Sequence, residues 1–493
     1  MKKREKLTWK LLVTAIMFVM VLTTGVKAQA ASWVEINTKN FPESVVRETL
    51  KNEAKNYGYS YYKRSNGKYY VDVSRATSFS CYDEKRLIKN TDFLKKFKRL
   101  NSVSIKTTDT SISLPSSVEY VYITTESDSL TLRAPGANYV SITGTGKTSV
   151  KFKNMGKLET LYTWNLKDVS GLSRMKNLVN FDTTNYGGSA LNLTGNTKLQ
   201  GLFVTDSPEL VSLRCPDGLL NMNIENTGIR KLDVSRLKNL QFLGVNTNTN
   251  IRNIDVSKNA SLTSLCVNCS NVTSLDITKN KKLTSLVCYE SKLSELKIGK
   301  NNKLTYLDIK KNSRLKSVDV TKCPKLASLN VSATAIRSLN VTKNKQLTSL
   351  YAAGNKNLKR LNVTKCPKLN ELYVNKTGIT NLNVSRNKKL QYLGLNRVMT
   401  VKGCKNVTLS YYNMKKGMTV SLKGVIGSGY KKDYCKGARF NPKTMKIQFT
   451  PKKDDYGHAY VTLVKGSASY DISLNEGDVM CLITGSRFDK TTY

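Results

Sequence analysis

One histidine, His458, serves all 493 residues. That scarcity removes Ser-His-Asp and Cys-His catalysis from most of the chain, and with it any histidine-cluster metal site. Acids are also scarce, 35 Asp and Glu against 80 Lys and Arg, which leaves a net charge of +45. No pair of carboxylates stands out for glycosidase chemistry. No glycine-rich loop opens a helix, so no nucleotide site is expected; Thr143-Gly144-Thr145-Gly146-Lys147-Thr148 lacks the GxxxxGK spacing. After residue 30 no apolar run reaches membrane length, and no LPxTG-like sorting signal with a hydrophobic tail is present. Ten cysteines are present without the spacing of a disulfide framework. Cys215 and Cys288 fall at inward positions, and Cys323 and Cys366 stand where Asn usually does, so buried free thiols are the plain reading. The pair expected to form a disulfide is Cys404 with Cys435. Cys266-Val267-Asn268-Cys269 is one isolated CxxC.

What is present begins with an export leader. Lys2, Lys3, Arg4, Lys6 and Lys10 form a basic region, Leu11 to Val26 an apolar one, and Ala28-Gln29-Ala30 a cleavage site, so residues 1–30 are read as a signal peptide. The leader carries six bases and one acid, so its loss leaves +40. An exported chain of that charge points away from nucleic acid and toward extracellular polyanions such as teichoic acid, acidic glycans, sulfated mucins or anionic membrane.

The dominant feature is a repeat. LDVSRL, IDVSKN, LDITKN, LKIGKN, VDVTKC, LNVTKN, LNVTKC and LNVSRN start at Leu232, Ile254, Leu275, Leu296, Val318, Leu339, Leu361 and Leu382, each 21 or 22 residues after the last. A fixed period of this length is the signature of a solenoid, in which each coil packs only on its neighbours. A looser set starts at Met222, Leu243, Leu265, Leu286, Leu307, Leu329, Leu350, Leu372 and Leu393. Its second inward column is Ile224, Val245, Val267, Cys288, Ile309, Val331, Ala352, Val374 and Leu395. Both sets alternate apolar and polar, the period of a strand with one buried face. Alternating pairs from Val103/Ile105 to Leu202/Val204 carry weaker coils upstream.

Leu369-Asn370-Glu371-Leu372-Tyr373-Val374-Asn375-Lys376-Thr377-Gly378-Ile379 resembles the leucine-rich repeat LxxLxLxxNxL, as does Leu326 to Ile336. The fold class implied is a β-rich leucine-rich-repeat solenoid with 21–22-residue coils. The resemblance implies that the looser set forms concave strands and the regular set the outer flank. It also implies that Asn248, Asn312 and Asn355 satisfy backbone groups of the adjacent turn, with Ser270, Ser291, Thr334 and Thr377 as weaker substitutes. Residues 36–47, INTKNFPESVVR, resemble the cap of exported, internalin-like leucine-rich-repeat surface proteins of Gram-positive gut bacteria. The calcium-loop-like stretch that often follows is replaced by Lys63-Arg64-Ser65-Asn66-Gly67-Lys68, which lacks acidic ligands, so no metal site is expected. The expected organisation is an α-containing cap over 31–93, the solenoid over 94–402, and a β-sandwich-like unit over 403–493, immunoglobulin-like in one reading.

Two surface columns are candidates for function, and no catalytic residue or cofactor is. Four residues into each regular phrase stand Arg236, Lys258, Lys279, Lys300, Lys322, Lys343, Lys365 and Arg386, a basic ladder that would bind a linear polyanion or would simply solvate a ridge. Outward positions of the looser set carry Phe242, Tyr289, Tyr306, Tyr351, Tyr373 and Tyr392 among small neutral residues. These form either a ligand-binding face or cross-strand packing. The expected function is that of a secreted binding protein, associated with the wall of a Gram-positive bacterium, that recognises an extracellular protein or glycan. The alternative is a wall-associated structural protein holding teichoic acid or another polyanion. His458, after Asp454-Asp455-Tyr456-Gly457, is expected in a solvent-exposed loop.

Overall fold

The computed structural model describes residues 31–56, 61–82, 87–248, 250–268, 271–396, 399–403, 407–412, 414, 416, 418–422, 425–426, 430–451, 458–465 and 468–475. The leader, Cys269, Ser270 and Cys404 lie outside them, and so does Asp454 to Gly457.

The looser set forms one continuous parallel sheet. Met222, Leu243, Leu265, Leu286, Leu307, Leu329, Leu350, Leu372 and Leu393 follow one another as lateral partners along it. The pairings run in open order from Ser78–Cys81 to Thr408–Tyr412. The regular set lies on the other side of each coil and pairs only in fragments, as Ser274–Asp276 with Glu295–Lys297 and Asn381–Asn383 with Thr400–Lys402. Upstream, Ser111–Ser113, Ser129–Arg133, Ser149–Lys153 and Asp168–Ser170 build a fuller second sheet. The fold is therefore a β-solenoid whose coils of about 21 residues share one core. In the coil from Leu326, the side chains Leu326, Leu329, Val331, Ile336 and Val341 are completely buried. Each such side chain contributes roughly 1.5–3 kcal/mol relative to exposure.

Two local devices turn the coils. From Leu161 on, and among the described residues, the residue four after each first inward residue of the sheet side leaves the sheet in the left-handed region, with Asn165 at φ 59°, Asn185 at 54°, Asp206 at 48° and Asn226 at 49°. Asn and Asp tolerate that conformation. Later coils place Thr247, Glu290, Lys311, Ala333 and Lys376 there, also at positive φ. On the opposite side, the second residue of the regular phrase closes an Asx turn in seven of the eight phrases; the phrase at Leu296 has Lys297 there and turns at Gly299, φ 63°. The Oδ1 atoms of Asp233, Asp255, Asp276 and Asp319 accept the backbone N–H two residues on at 2.8–2.9 Å, and Asn340, Asn362 and Asn383 do so at 3.0–3.1 Å. This explains the D/N-x-S/T-K/R phrase.

A buried asparagine ladder ties coil to coil. Asn344 Nδ2 donates to the carbonyls of Val320 (2.9 Å) and Cys323 (2.8 Å); Asn387 Nδ2 donates to those of Val363 (2.9 Å) and Cys366 (2.8 Å). Asn259 and Asn280 repeat the pattern. On the sheet side, Asn248, Asn312 and Asn355 bond backbone carbonyls as the repeat resemblance implies, and Thr334 and Thr377 do so through their hydroxyls at 2.9 and 2.6 Å. Cys81, Cys288, Cys323 and Cys366 are buried and form no disulfide.

At the N-terminus the helix Ser44–Asn56 packs Val45, Val46 and Leu50 inward beside Phe41. Arg47 Nη1 donates to the carbonyls of Phe41 (2.7 Å) and Pro42 (2.5 Å). The stretch without acidic ligands is a β-hairpin turned by Asn66 and Gly67, both at positive φ. Ser78–Cys81, inside the segment read as cap, is already the first strand of the long sheet. At the C-terminus Ala468–Asn475 joins that sheet in parallel with Thr408–Tyr412, followed antiparallel by His458–Lys465 and Lys431–Lys436. A small antiparallel sheet of Thr419–Ser421, Lys446–Phe449 and Ala438–Asn441 makes the second layer. His458 corrects its expectation. It begins a strand, half-buried, with Nδ1 2.7 Å from Asn475 Oδ1, because its strand pairs antiparallel with Ala468–Asn475. Cys435 Sγ donates to the Ala438 carbonyl at 2.9 Å, and its expected partner Cys404 lies outside the described residues.

Candidate functional site

Alternation along the long sheet sends every second side chain outward, and this open strip has a distinct chemistry. From Ser78–Cys81 through Tyr392–Leu395 its outward positions carry Lys106 and Lys310 as the only bases among the described residues. Asp182, Glu225, Asp308 and Glu371 are the acids. A chain of +45 thus presents one face that is free of net positive charge.

The six aromatic residues expected on this face point outward in three rows. Phe242, Tyr306 and Tyr392 precede the first inward residue, Tyr351 and Tyr373 follow it, and Tyr289 lies two further on. Tyr351 and Tyr373 stack with centroids 5.4 Å apart and planes 15° apart. The Tyr351 hydroxyl donates to the Glu371 carboxylate, which lies between Ser349 and Tyr392 in register. Tyr392 is exposed, and the other five are half-buried. Between these groups, Lys310 Nζ lies 3.5 Å from Asp308 Oδ2 and 4.9 Å from the Tyr289 ring centroid, a buried charged pair on the sheet surface. Burial raises the pKa of Asp308 against the lowering effect of Lys310.

A second aromatic group lies upstream, where sequence reasoning did not look. Tyr139 packs between Tyr122 (5.3 Å) and Tyr162 (5.5 Å), with Tyr120 at 6.4 Å. Trp164 is 45% exposed and Tyr162 38%. Asp182 is the lateral neighbour of both Tyr162 and Phe203. Burial lifts its carboxyl pKa to about 6. The YVYI, YVSI and LYTW alternations that mark these strands also mark their outward tyrosines.

The basic ladder occupies the turn after each regular phrase, and all eight residues are exposed. Seven of their turns are closed by the Asx bonds, and the turn of Lys300 has Gly299 at φ 63° instead, so the cations project from defined backbone. The carboxyls of Asp233, Asp255, Asp276 and Asp319 are held below the usual range, first by hydrogen bonds from the Ser or Thr two residues on and then by nearby cations. Arg236 Nη2 pairs with Asp217 at 2.9 Å. Lys282, Lys303, Lys325, Lys368 and Lys389 form a second exposed row three residues further on. Between Asp319 and Asp433 the chain has 22 Lys and Arg and a single acid, Glu371.

No protein-family model matches the chain, and no curated protein matches it in sequence. Among solved structures it is similar to the functional domain of InlJ from Listeria monocytogenes, which includes a cysteine ladder, at 18% identity over 91% of this chain and 99% of that one, TM-score 0.36. It is similar to the internalin InlF from Listeria monocytogenes at 16% identity, over 72% of this chain and 96% of that one, TM-score 0.45. It is also similar to the Drosophila Toll–Spatzle complex at 12% identity, over 66% of this chain and 58% of that one, TM-score 0.42. Each is a likeness of repeat architecture only. Among the described residues no helix is long and apolar enough to cross a membrane.

Proposed function

We propose that the chain is an exported binding protein of a Gram-positive cell surface that recognises an extracellular macromolecule, protein or glycan, through the open face of its long sheet. Its work is binding, without catalysis. The observation that carries this reading is the segregation of charge. Lys and Arg occupy the turns of every regular coil, while the sheet face is left mostly to Tyr, Phe, Trp, Asn, Ser, Thr and Gly, with four acids and two lysines among its described outward positions. Tyrosine among small polar residues supplies contact area at low entropy cost, with adaptable hydrogen bonding beside it. The test is binding of residues 31–493 to arrayed extracellular proteins and glycans at low and high salt. Binding that survives high salt and is lost in Tyr351→Ala/Tyr373→Ala supports the reading; retention of full affinity by that variant refutes it for this end of the face.

The near-absence of acids from residues 320–432 favours a second role for the ladder, retention on a polyanion such as wall teichoic acid. Successive coils stack at about 4.8 Å, so the eight cations span a line of about 34 Å. Charges this close repel one another within the screening length of ~8 Å, and a linear polyanion relieves the repulsion while releasing its own counterions. Elution of the protein from the wall by salt alone is the expected outcome; retention in 1 M NaCl excludes this role.

A further inference from the structure

We propose that Asp182, Tyr162 and Trp164, backed by Tyr139, form a site for an uncharged pyranose unit of a glycan at the N-terminal end of the sheet face. The inference rests on the reading of that face as a binding surface and adds a location and a ligand class.

The geometry is that of a platform with a hydrogen-bonding edge. Tyr162 and Trp164 are two outward residues of one strand, and Asp182 and Thr184 are their partners on the next. Adjacent strands lie about 4.8 Å apart, so a ring laid on Tyr162 brings its hydroxyls within reach of the Asp182 carboxylate. Tyr139 packs against Tyr162 from the other side at 5.5 Å and fixes its ring. Phe203 closes the far flank of Asp182. No hydrogen bond or ion pair engages the Asp182 carboxylate among the described residues, although it is half-buried between aromatic rings. A carboxylate in such surroundings costs free energy unless something donates to it. The base on this end of the face, Lys106, is already paired with Glu126 at 2.8 Å.

Charge selects the ligand class. An anionic ligand would meet Asp182 with no free cation beside it on this face. A cationic macromolecule would have to approach a chain of +45. A neutral sugar meets neither obstacle. Its apolar C–H face suits an aromatic ring, and its hydroxyls donate to a carboxylate and to Thr184 or Asn180 at the rim.

Trp33 and Trp164 are the tryptophans of residues 31–493, so Trp164 reports the site by its own fluorescence. The probes are uncharged tri- and tetrasaccharides of hexose and N-acetylhexosamine, with sulfated oligosaccharides, a lysine-rich peptide and choline as comparison arms. Saturable change of emission with at least one uncharged oligosaccharide is expected, at equal affinity in 0.15 and 0.5 M NaCl. Asp182→Asn and Tyr162→Ala should each weaken it about tenfold or more, a loss of about 1.4 kcal/mol. Trp33→Phe, in the cap and away from the site, should leave the signal intact, which assigns it to Trp164. Asp182→Asn removes a buried charge and should not unfold the protein, so loss of binding in that variant reads the site. Absence of response to every uncharged probe, equal affinity in both variants, or a response confined to a charged arm overturns the proposal. If Tyr351→Ala/Tyr373→Ala abolishes binding of a macromolecule while Asp182→Asn leaves it intact, the sheet-face reading stands and this site falls.

Discussion

Replacing Asn344 by Ala tests whether the buried asparagine ladder holds the coils together. The Asn344 side chain is fully buried, and its Nδ2 satisfies two carbonyls of the preceding coil at 2.9 and 2.8 Å. Truncation leaves both carbonyls with only their backbone bonds, from the Cys323 N–H (3.0 Å) and the Leu326 N–H (3.2 Å), so the cost is that of two hydrogen bonds, each worth about 0.5–1.5 kcal/mol net. Against this, Asn344 Oδ1 is itself buried without a hydrogen-bond partner, so removing the amide also removes an unsatisfied acceptor. Two lost bonds at about 1.5 kcal/mol each, less about 1 kcal/mol for the orphan oxygen, give a net destabilisation of about 2 kcal/mol. The chain supplies its own control at the same ladder position. Cys366 keeps one weak donor, its Sγ 3.5 Å from the Val341 carbonyl. Asn344→Cys should therefore lose about half as much. A repeat array opens locally as well as globally, so the assay is hydrogen exchange at the amides of Ser349–Tyr351 and of the flanking coils. The expected effect of Asn344→Ala is exchange about 30-fold faster in those coils, with Asn344→Cys intermediate. Exchange within about twofold of the parent for Asn344→Ala would refute the idea that the ladder couples coils.

Three further outcomes follow from the geometry. Thr247 is a β-branched residue at φ 52°, so Thr247→Asn should stabilise the solenoid by about 1 kcal/mol in urea unfolding, and destabilisation would contradict the corner assignment. Burial raises the Asp182 carboxyl from its ordinary 3.8 to about 6 in the fold, so the stability tied to its protonated form is whole below pH 3.8 and is lost as pH rises through about 6. Asp182→Asn should accordingly raise the melting temperature at pH 7.5 and leave it nearly unchanged at pH 3.5, and an equal shift at both values would count against the assignment. Replacing Lys322, Lys343, Lys365 and Arg386 together by Gln should cut the slope of log affinity against log salt for a teichoic-acid chain by about 3, and an unchanged slope would exclude the ladder as the contact.

The division of each coil into a sheet side and a turn side was legible in the sequence because the two sides have different rules. The sheet side needs only alternation; the turn side needs a specific sequence, D/N-x-S/T-K/R, since an Asx bond closes it. The missing rule at Asn226, Thr247, Glu290, Lys311 and Ala333 has a conformational reason, for all five share a positive φ and little else. The coupling role of Asn259, Asn280, Asn344 and Asn387 was not legible. A column of Asn is visible in the repeat, but its partners lie 21 to 25 residues earlier, on the coil beneath. Ser78–Cys81 was too short to register as a strand until Ser102–Thr107 paired with it. The upstream aromatic group was missed because its coils, from Val103 to Val121 to Val140 to Leu161, vary in length and lack the regular phrase.

The two surfaces answer to different pressures. If lysine had accumulated in this chain only for solubility, the open sheet face would be a natural place for it, yet outward positions there hold two lysines over many coils. Strand propensity does not account for the exclusion. Asn, Gly, Ser and Asp are as poorly suited to strands as Lys, and they fill the same positions at Asn180, Asn223, Gly244, Asn268, Asp308, Asn330 and Gly394. What these residues share is small size and the absence of positive charge, which leaves the aromatic rings standing above a low polar floor. On the turn side of the regular coils, lysine or arginine returns at one position every time, on a turn that an Asx hydrogen bond holds in seven cases of eight. Contacts made by the ladder must weaken steeply with salt, because each one exchanges a counterion. Contacts made by rings and short polar groups carry no such dependence. On the proposed reading, one molecule would stay anchored through its ladder while its face remains free, and salt would separate the two attachments in a single experiment.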